Sequence, residues 1–80
     1  MALTEDIAAT LDLSGYKCPL PVLKARKALK SLDPGSELTV ICTDPAAPND
    51  FRAYCQASGH VLLSIENDDD GYRIRLRRAS

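Results

Sequence analysis

Two prolines placed two residues apart, Pro19 and Pro21, mark where the first helix of this chain begins. Proline has a fixed φ and no backbone N–H, so it suits the first turn of a helix and disrupts a helix interior. The apolar residues that follow recur at steps of three and four, which predicts a helix from Pro21 to about Leu32 with one apolar stripe. The stripe consists of Val22, Ala25, Leu29 and Leu32.

Periodic patterns place the other elements along the chain. Alternation of apolar and polar residues predicts strands, whereas helical spacing after the turn Thr43-Asp44-Pro45 predicts a second helix. The predicted elements are a strand at 9–13, the first helix, a strand at 37–43, a helix at about 48–58 and strands at 60–66 and 72–77. In the strand at 60–66, the alternation places Val61, Leu63 and Ile65 on one face.

This order of elements restricts the fold. A strand, helix and strand in succession imply a parallel pair with a right-handed crossover, and the closing hairpin adds an antiparallel pair. The predicted fold class is α/β, as an α+β two-layer sandwich with the order β-α-β-α-β-β, a four-stranded mixed sheet and two helices on one face. We expect residues 1–8 to form a flexible leader and residues 9–78 to form the single domain.

Composition limits the classes of partner. The 80 residues carry a net charge of −1, which predicts no general attraction to nucleic acid or to an anionic membrane. Five basic residues and no acidic one lie between Leu13 and Leu32, so any basic surface is local. The first residues have neither the basic start nor the apolar core of a signal peptide, and no apolar run is long enough to span a membrane. We therefore expect a cytoplasmic protein without a membrane partner.

The cysteine pattern excludes the common structural uses of cysteine. The three cysteines, Cys18, Cys42 and Cys55, form neither an even disulfide framework nor a Cys-x-x-Cys pattern. Cys42 in the middle of a strand and Cys55 on the apolar side of a helix are expected in the core. His60 is the single histidine, so a zinc site would need scattered ligands. We expect no metal and no bound organic cofactor.

Cys18 stands at the position where a reactive thiol is expected. It directly precedes the start of the helix and follows Lys17, and both a helix N-terminus and a neighbouring cation lower the pKa of a thiol. No nearby general base supports a Cys/His hydrolase. An exposed thiolate on a rigid backbone suits sulfur transfer, in which the thiolate accepts a sulfane sulfur as a persulfide and passes it on. The alternative to a reactive role is that Cys18 is only a small buried residue that fills space in the core.

The residues around Cys18 are similar to a known family. The stretch at 11–22 reads LDLSGYKCPLPV and closely resembles the Cys-Pro-x-Pro signature of the TusA/SirA-like sulfur carriers. The likeness covers about residues 9–78 and continues through Pro34-Gly35, Thr43-Asp44-Pro45-Ala46, Asp50, Tyr54-Cys55 and Gly59-His60. It implies a fold like that of the C-terminal domain of bacterial translation initiation factor 3.

The resemblance also implies roles for individual residues. Cys18 would carry the persulfide, Pro19 and Pro21 would shape its loop, and Asp44 would lie on the surface that partners meet. Lys17 stands where many relatives have arginine, which keeps the charge and loses a planar fork. The sulfur donor would be a pyridoxal-phosphate cysteine desulfurase or a rhodanese-like protein, and a downstream protein would accept the sulfur.

The main hypothesis is a sulfurtransferase-type carrier rather than an enzyme that turns over small molecules. The basic helix face with Lys24 and Lys27 would guide acidic partner surfaces. Carriers of the family that the chain resembles feed tRNA thiolation, molybdenum cofactor synthesis or sulfur oxidation, and the sequence does not choose among these routes.

Two other functions remain open at this point. A regulatory or RNA-binding module would use the basic faces of the first helix and the last strand, although aromatic residues are scarce and no direct nucleic-acid binding is expected. A thiol redox sensor would need Cys42 or Cys55 as the partner of Cys18.

Overall fold

A computed structural model describes residues 8–79. The elements are β1 (Ala8–Leu13), α1 (Leu20–Lys30), β2 (Glu37–Cys42), α2 (Ala47–Ser58), β3 (Val61–Asp68) and β4 (Gly71–Arg77). The predicted order of strands and helices is confirmed. The expected leader at 1–8 lies outside the described residues, apart from Ala8, which begins β1.

The strands form one mixed sheet in the order β1-β2-β4-β3. β1 and β2 are parallel, and β4 pairs antiparallel with both β2 and β3. The parallel pair is joined through α1, as the strand–helix–strand pattern predicts. The four-stranded mixed sheet of the two-layer fold is confirmed, and its two edges are β1 and β3.

The core lies between the sheet and the two helices. Burial alternates along β2, where Leu38, Val40 and Cys42 are fully buried and the residues between them are half-buried. Phe51 of α2 and Leu29 of α1 pack in the same cluster. The second face of the sheet carries the arginines of β4 and has no helix over it among the residues that the structure describes.

The two cysteines expected in the core are buried, with exposed fractions of 0% for Cys42 and 5% for Cys55. Burial raises the pKa of the Cys42 thiol to about 11 and also raises the pKa of Cys55, because a thiolate is poorly solvated there. Both thiols are therefore inert packing groups at neutral pH.

The alternation predicted for β3 is wrong. The pairing of β3 with β4 shifts between Leu62 and Ser64, so one residue is inserted without a partner. Leu62 and Ile65 consequently pack against the core, whereas Val61 is 45% exposed. A bulge of this kind reverses which side chains face inward on either side of it, and a strict period of two cannot reveal it.

The helix boundaries differ slightly from the predicted ones. α1 begins at Leu20, with Pro19 at the N-cap and Pro21 in the first turn, and ends at Lys30. α2 ends at Ser58 and is capped by Gly59, whose φ of 87° is left-handed and whose N–H donates to the carbonyl of Cys55 at 3.0 Å. Neither of the two described helices is long and apolar enough to cross a membrane.

Candidate functional site

Cys18 lies exposed in the loop between β1 and α1. Its own N–H donates a hydrogen bond of 2.6 Å to Oδ2 of Asp44 in the loop between β2 and α2. Earlier in the same loop, the N–H of Gly15 donates to Oγ1 of Thr43 at 2.9 Å. Because β1 and β2 are parallel, their C-terminal ends lie at the same end of the sheet. The two bonds therefore fix the loop that carries Cys18 to the loop that follows β2.

Asp44 connects three segments of the site. Besides the bond from Cys18, its Oδ1 accepts the N–H of Ala46 at 3.1 Å, and its carbonyl accepts the N–H of Ala47 at the start of α2 at 3.0 Å. The N–H groups of Ala46 and Cys18, with a smaller contribution from the charge of Lys17, hold the pKa of Asp44 below its usual value. Asp44 is therefore ionised and holds the cysteine loop in place.

The expectation of a lowered pKa at Cys18 is wrong. The largest influence is the carboxylate of Asp50, which as an acceptor for the thiol proton favours the neutral thiol and raises the pKa of Cys18. Partial desolvation and the negative charges of Asp50 and Asp44 raise it further. The thiol is therefore protonated at neutral pH in the free protein.

Asp50 is the site residue that the sequence-based prediction missed. It lies half-buried in the first turn of α2, where its N–H donates to the carbonyl of Ala46 at 3.0 Å. Acidic residues are common in the first turn of a helix, so the position alone does not suggest contact with a cysteine far away in the chain. Its place in the family likeness was the one signal that pointed to it.

The two prolines of the motif have different environments. Pro19 is exposed at the N-cap of α1, whereas Pro21 is buried and anchors the first turn of the helix against the core. The carbonyl of Pro19 accepts the N–H of Leu23 at 3.2 Å. The Cys18–Pro19 peptide bond is cis. Pro19 thus lies next to the thiol at the start of α1, and Pro21 packs against the core.

The predicted basic residues lie on the outside of α1. Lys17, Lys24 and Lys27 are all exposed, and Nζ of Lys24 lies 4.7 Å from the centre of the Tyr16 ring. Lys27 lies one turn further from Cys18 along the helix. The structure therefore brings Lys17 and Lys24 near the cysteine loop, while Lys27 extends the basic surface away from it.

Three large apolar side chains in the Cys18 loop and the first turns of α1 are exposed. Tyr16, Leu20 and Leu23 have exposed fractions of 39%, 44% and 49%. Large apolar side chains in solvent around a reactive group are typical of a surface that another protein covers. Sequence analysis missed Leu20 and Leu23, because neither lies on the buried stripe of the helix.

A groove lies on the surface between α1 and the C-terminal part of α2. It has a volume of about 420 Å³ and is lined by Arg26, Lys30, Tyr54, His60 and Arg78, with apolar residues beneath them. Nδ1 of His60 accepts the N–H of Ala79 at 2.9 Å. His60 thus has a structural hydrogen bond to the end of the described chain.

The structure weakens both alternative functions. Among the described residues all three cysteines are free, and the two possible partners of Cys18 in a disulfide are buried. On β4, Arg75 and Arg77 both approach Glu37, with N···O distances of 2.6 and 3.7 Å, so part of the basic face is already neutralised. Within residues 8–79, no three His, Cys, Asp or Glu side chains are grouped to hold a metal ion.

Comparison with known proteins agrees with this geometry. The family model described as Sulfurtransferase TusA matches residues 9–78. A protein of Neisseria meningitidis serogroup A that bears the name "Putative sulfur carrier protein" is 53% identical over 60 residues, which are 75% of this chain and 81% of that protein. The sulfur carrier protein TusA of Allochromatium vinosum is 34% identical over 74 residues, covering 92% of this chain and 97% of its own length.

A solved structure has the same fold. The crystal structure of a SirA-like protein from Desulfitobacterium hafniense superposes with a TM-score of 0.78 and 24% sequence identity, covering 90% of this chain and 99% of the other. The family match over residues 9–78 includes the Cys-Pro-x-Pro loop, both helices and all but the first residue of the sheet. The chain belongs to the TusA sulfurtransferase family.

Proposed function

We propose that the protein is a sulfur carrier in which Cys18 accepts a sulfane sulfur as a persulfide and passes it to a cysteine of a partner protein. The observation that carries the proposal is that Cys18 is the one exposed cysteine of the three and is held by a backbone hydrogen bond to Asp44. A thiol presented on a fixed loop can meet the cysteine of another protein, whereas Cys42 and Cys55 cannot without unfolding.

The proposed chemistry consists of two exchanges at sulfur. The Cys18 thiol loses its proton and attacks the outer sulfur of a persulfide on the donor, so that a new S–S bond forms and the donor cysteine leaves as a thiolate. An acceptor thiolate then attacks the outer sulfur on Cys18, and Cys18 leaves. One sulfur atom moves at each step, and no external oxidant or reductant is consumed.

The raised pKa of Cys18 has a consequence for this cycle. Only the thiolate is a strong nucleophile, so a thiol kept protonated by Asp50 and Asp44 reacts slowly with small oxidants while the carrier is free. Loading should therefore become faster as the pH rises and the thiolate fraction grows. This behaviour suits a carrier whose sulfur must react inside a complex rather than in solution.

The proposed partners are proteins. The donor is a pyridoxal-phosphate cysteine desulfurase or a rhodanese-like protein, and the acceptor is a downstream protein of tRNA thiolation, molybdenum cofactor synthesis or sulfur oxidation. The exposed Tyr16, Leu20 and Leu23 around the thiol and the basic face of α1 support docking of a partner surface that is apolar at its centre and acidic at its rim. The proposed location is the cytoplasm, where thiols are kept reduced.

Incubation with a cysteine desulfurase, cysteine and pyridoxal phosphate, followed by intact-mass measurement, tests the proposal. The expected result is a gain of one sulfur atom that a reductant removes and that is absent in Cys18→Ser. Cys55→Ser is the matched control, since it removes a buried thiol and should load normally. No gain in the wild-type protein, or a gain that persists in Cys18→Ser, would reject the proposal.

A further inference from the structure

The two edges of the sheet are built differently. At the β3 edge, a bulge between Leu62 and Ser64 and the acidic residues Glu66 and Asp68 hinder the addition of another strand. At the β1 edge, the pairing with β2 is regular over all six residues from Ala8 to Leu13. Within the part of the chain that the structure describes, no strand covers the outer side of β1. This edge therefore offers unpaired N–H and C=O groups.

A groove lies directly beside this free edge. It has a volume of about 420 Å³ and runs between β1 and α1, with Leu11, Leu13 and Ala28 in its lining and Tyr16 at the end nearest the cysteine loop. Lys24 and Lys27 form its helix side. The groove thus combines an apolar base, a basic wall and an edge of free backbone groups.

The groove is positively charged on balance, since its lining carries two lysines and one carboxylate. The single acidic residue in its lining is Asp12, and the carboxylate of Asp12 already accepts the N–H of Ser14 at 3.0 Å. No described carboxylate lies within ion-pair distance of Lys24 or Lys27. An occupant with negative charge would therefore meet two exposed and uncompensated ammonium groups.

We propose that this groove binds an extended acidic segment of a partner protein, which pairs with β1 as a fifth strand. Successive side chains of a strand point to opposite faces, so every second side chain of the segment would face α1. A glutamate in such a position places its aliphatic part over Leu11 and its carboxylate at Lys24 or Lys27. The six residues of β1 allow pairing over about 20 Å at the rise of a strand.

The groove ends beside the loop that carries Cys18, so a bound segment would hold its protein near the thiol. Tyr16 at its end is two residues before Cys18, so a segment seated on β1 is tethered beside the thiol. A tether of this kind raises the effective concentration of the partner's reacting cysteine. The inference goes beyond the sulfur chemistry, because the groove contains no cysteine, and it is tested in Cys18→Ser so that persulfide formation plays no part.

The experiment measures binding of fluorescein-labelled octapeptides by anisotropy and maps the site by ¹⁵N NMR. The first peptide alternates threonine and glutamate, the second alternates threonine and lysine, and the third is the glutamate peptide with alternate backbone nitrogens methylated. We expect the first peptide to bind, with the largest shifts and slowed amide exchange at β1, and the other two to bind at least tenfold more weakly.

Charge reversal on α1 supplies the matched variants. Lys24→Glu combined with Lys27→Glu should weaken binding of the glutamate peptide about tenfold, because two attractive contacts become repulsive. Lys30→Glu is the control, since Lys30 is on the same helix and lines the other groove. Equal binding of the glutamate and lysine peptides, shifts centred away from β1, an equal effect of Lys30→Glu, or no binding of the glutamate peptide would each overturn the proposal.

Discussion

The N–H of Cys18 and Oδ2 of Asp44 are 2.6 Å apart, and this hydrogen bond joins the loop before α1 to the loop before α2. The carboxylate of Asp44 also accepts the N–H of Ala46, so the cysteine loop is linked to the start of α2. The position of the thiol thus depends on a residue 26 positions away in the chain.

Removal of this carboxylate should loosen the cysteine loop. In Asp44→Ala, the amide of Cys18 loses its acceptor, and we expect its hydrogen exchange to become about threefold to tenfold faster. Hydrogen exchange by NMR measures this change. Asp33→Ala, at an exposed turn on the chain between α1 and β2, is the control and should leave the Cys18 amide unchanged. Unchanged exchange in Asp44→Ala would contradict the anchoring role.

The same hydrogen bond should depend on pH in a defined direction. The pKa of Asp44 is lowered in the folded protein, so its contribution is present above the unfolded value of about 3.9 and is lost as the pH falls through the lower folded value. We expect the chemical shift of the Cys18 amide to stay constant on acidification to about pH 4 and to change only below it. A change centred near pH 6 would point to another group.

Asp50 should control the reactivity of the thiol. In Asp50→Asn, the negative charge next to Cys18 disappears, and the pKa of the thiol should fall towards the value of a free cysteine, about 8.5. The rate of alkylation by iodoacetamide as a function of pH measures this pKa. The wild-type midpoint should lie above that of Asp50→Asn, whereas Asp33→Asn, in the exposed turn before β2 at the opposite end of the sheet, should match the wild type. Coinciding profiles of wild type and Asp50→Asn would refute the assignment.

Substitution of two leucines of α1 should affect two different properties, the stability of the fold and the docking of a partner. Leu29 is 1% exposed and Leu23 is 49% exposed. Leu29→Ala should lower the free energy of unfolding by about 2–5 kcal/mol, because it opens a cavity in the core. Leu23→Ala should change it by less than about 0.5 kcal/mol and still slow sulfur transfer to a partner. Denaturant unfolding and transfer assays of both variants measure the two effects, and equal stabilities would contradict the packing described.

Gly71 should tolerate no side chain. Its φ is 145°, and a Cβ there would collide with the carbonyl oxygen of Cys42 on the neighbouring strand. We expect Gly71→Ala to cost about 3 kcal/mol of stability, whereas Gly35→Ala, which has a left-handed φ of 86° and open space around it, should cost about 1 kcal/mol. Thermal unfolding compares the two variants. A smaller loss for Gly71→Ala than for Gly35→Ala would mean that the close approach is not rigid.

Local signals in the sequence were sufficient for the order of the elements and for the core cysteines. Pro19 and Pro21 start α1 because proline chemistry acts within one turn, and Cys42 and Cys55 are buried because their neighbours have strand and helix periods. These inferences depend on residues close in sequence. The family likeness supported the same arrangement independently of them.

The chemistry of the site could not be predicted in the same way. Whether the pKa of Cys18 rises or falls depends on Asp50. Asp50 approaches Cys18 only because α1 and α2 both begin at the same end of the sheet, where β1 and β2 end. The bulge in β3 likewise depends on pairing with β4, and its own residues alternate without a visible break. Both misses concern contacts between elements that no local pattern encodes.

Locating the transferred sulfur within the chain tests the central claim most directly. Cleavage after lysine and arginine places the three cysteines on three different peptides, at 18–24, 31–52 and 53–73. After loading by a cysteine desulfurase and alkylation of the persulfide, mass spectrometry should find the added sulfur on the peptide 18–24 alone. Added sulfur on either of the other peptides, or on none, would contradict the account.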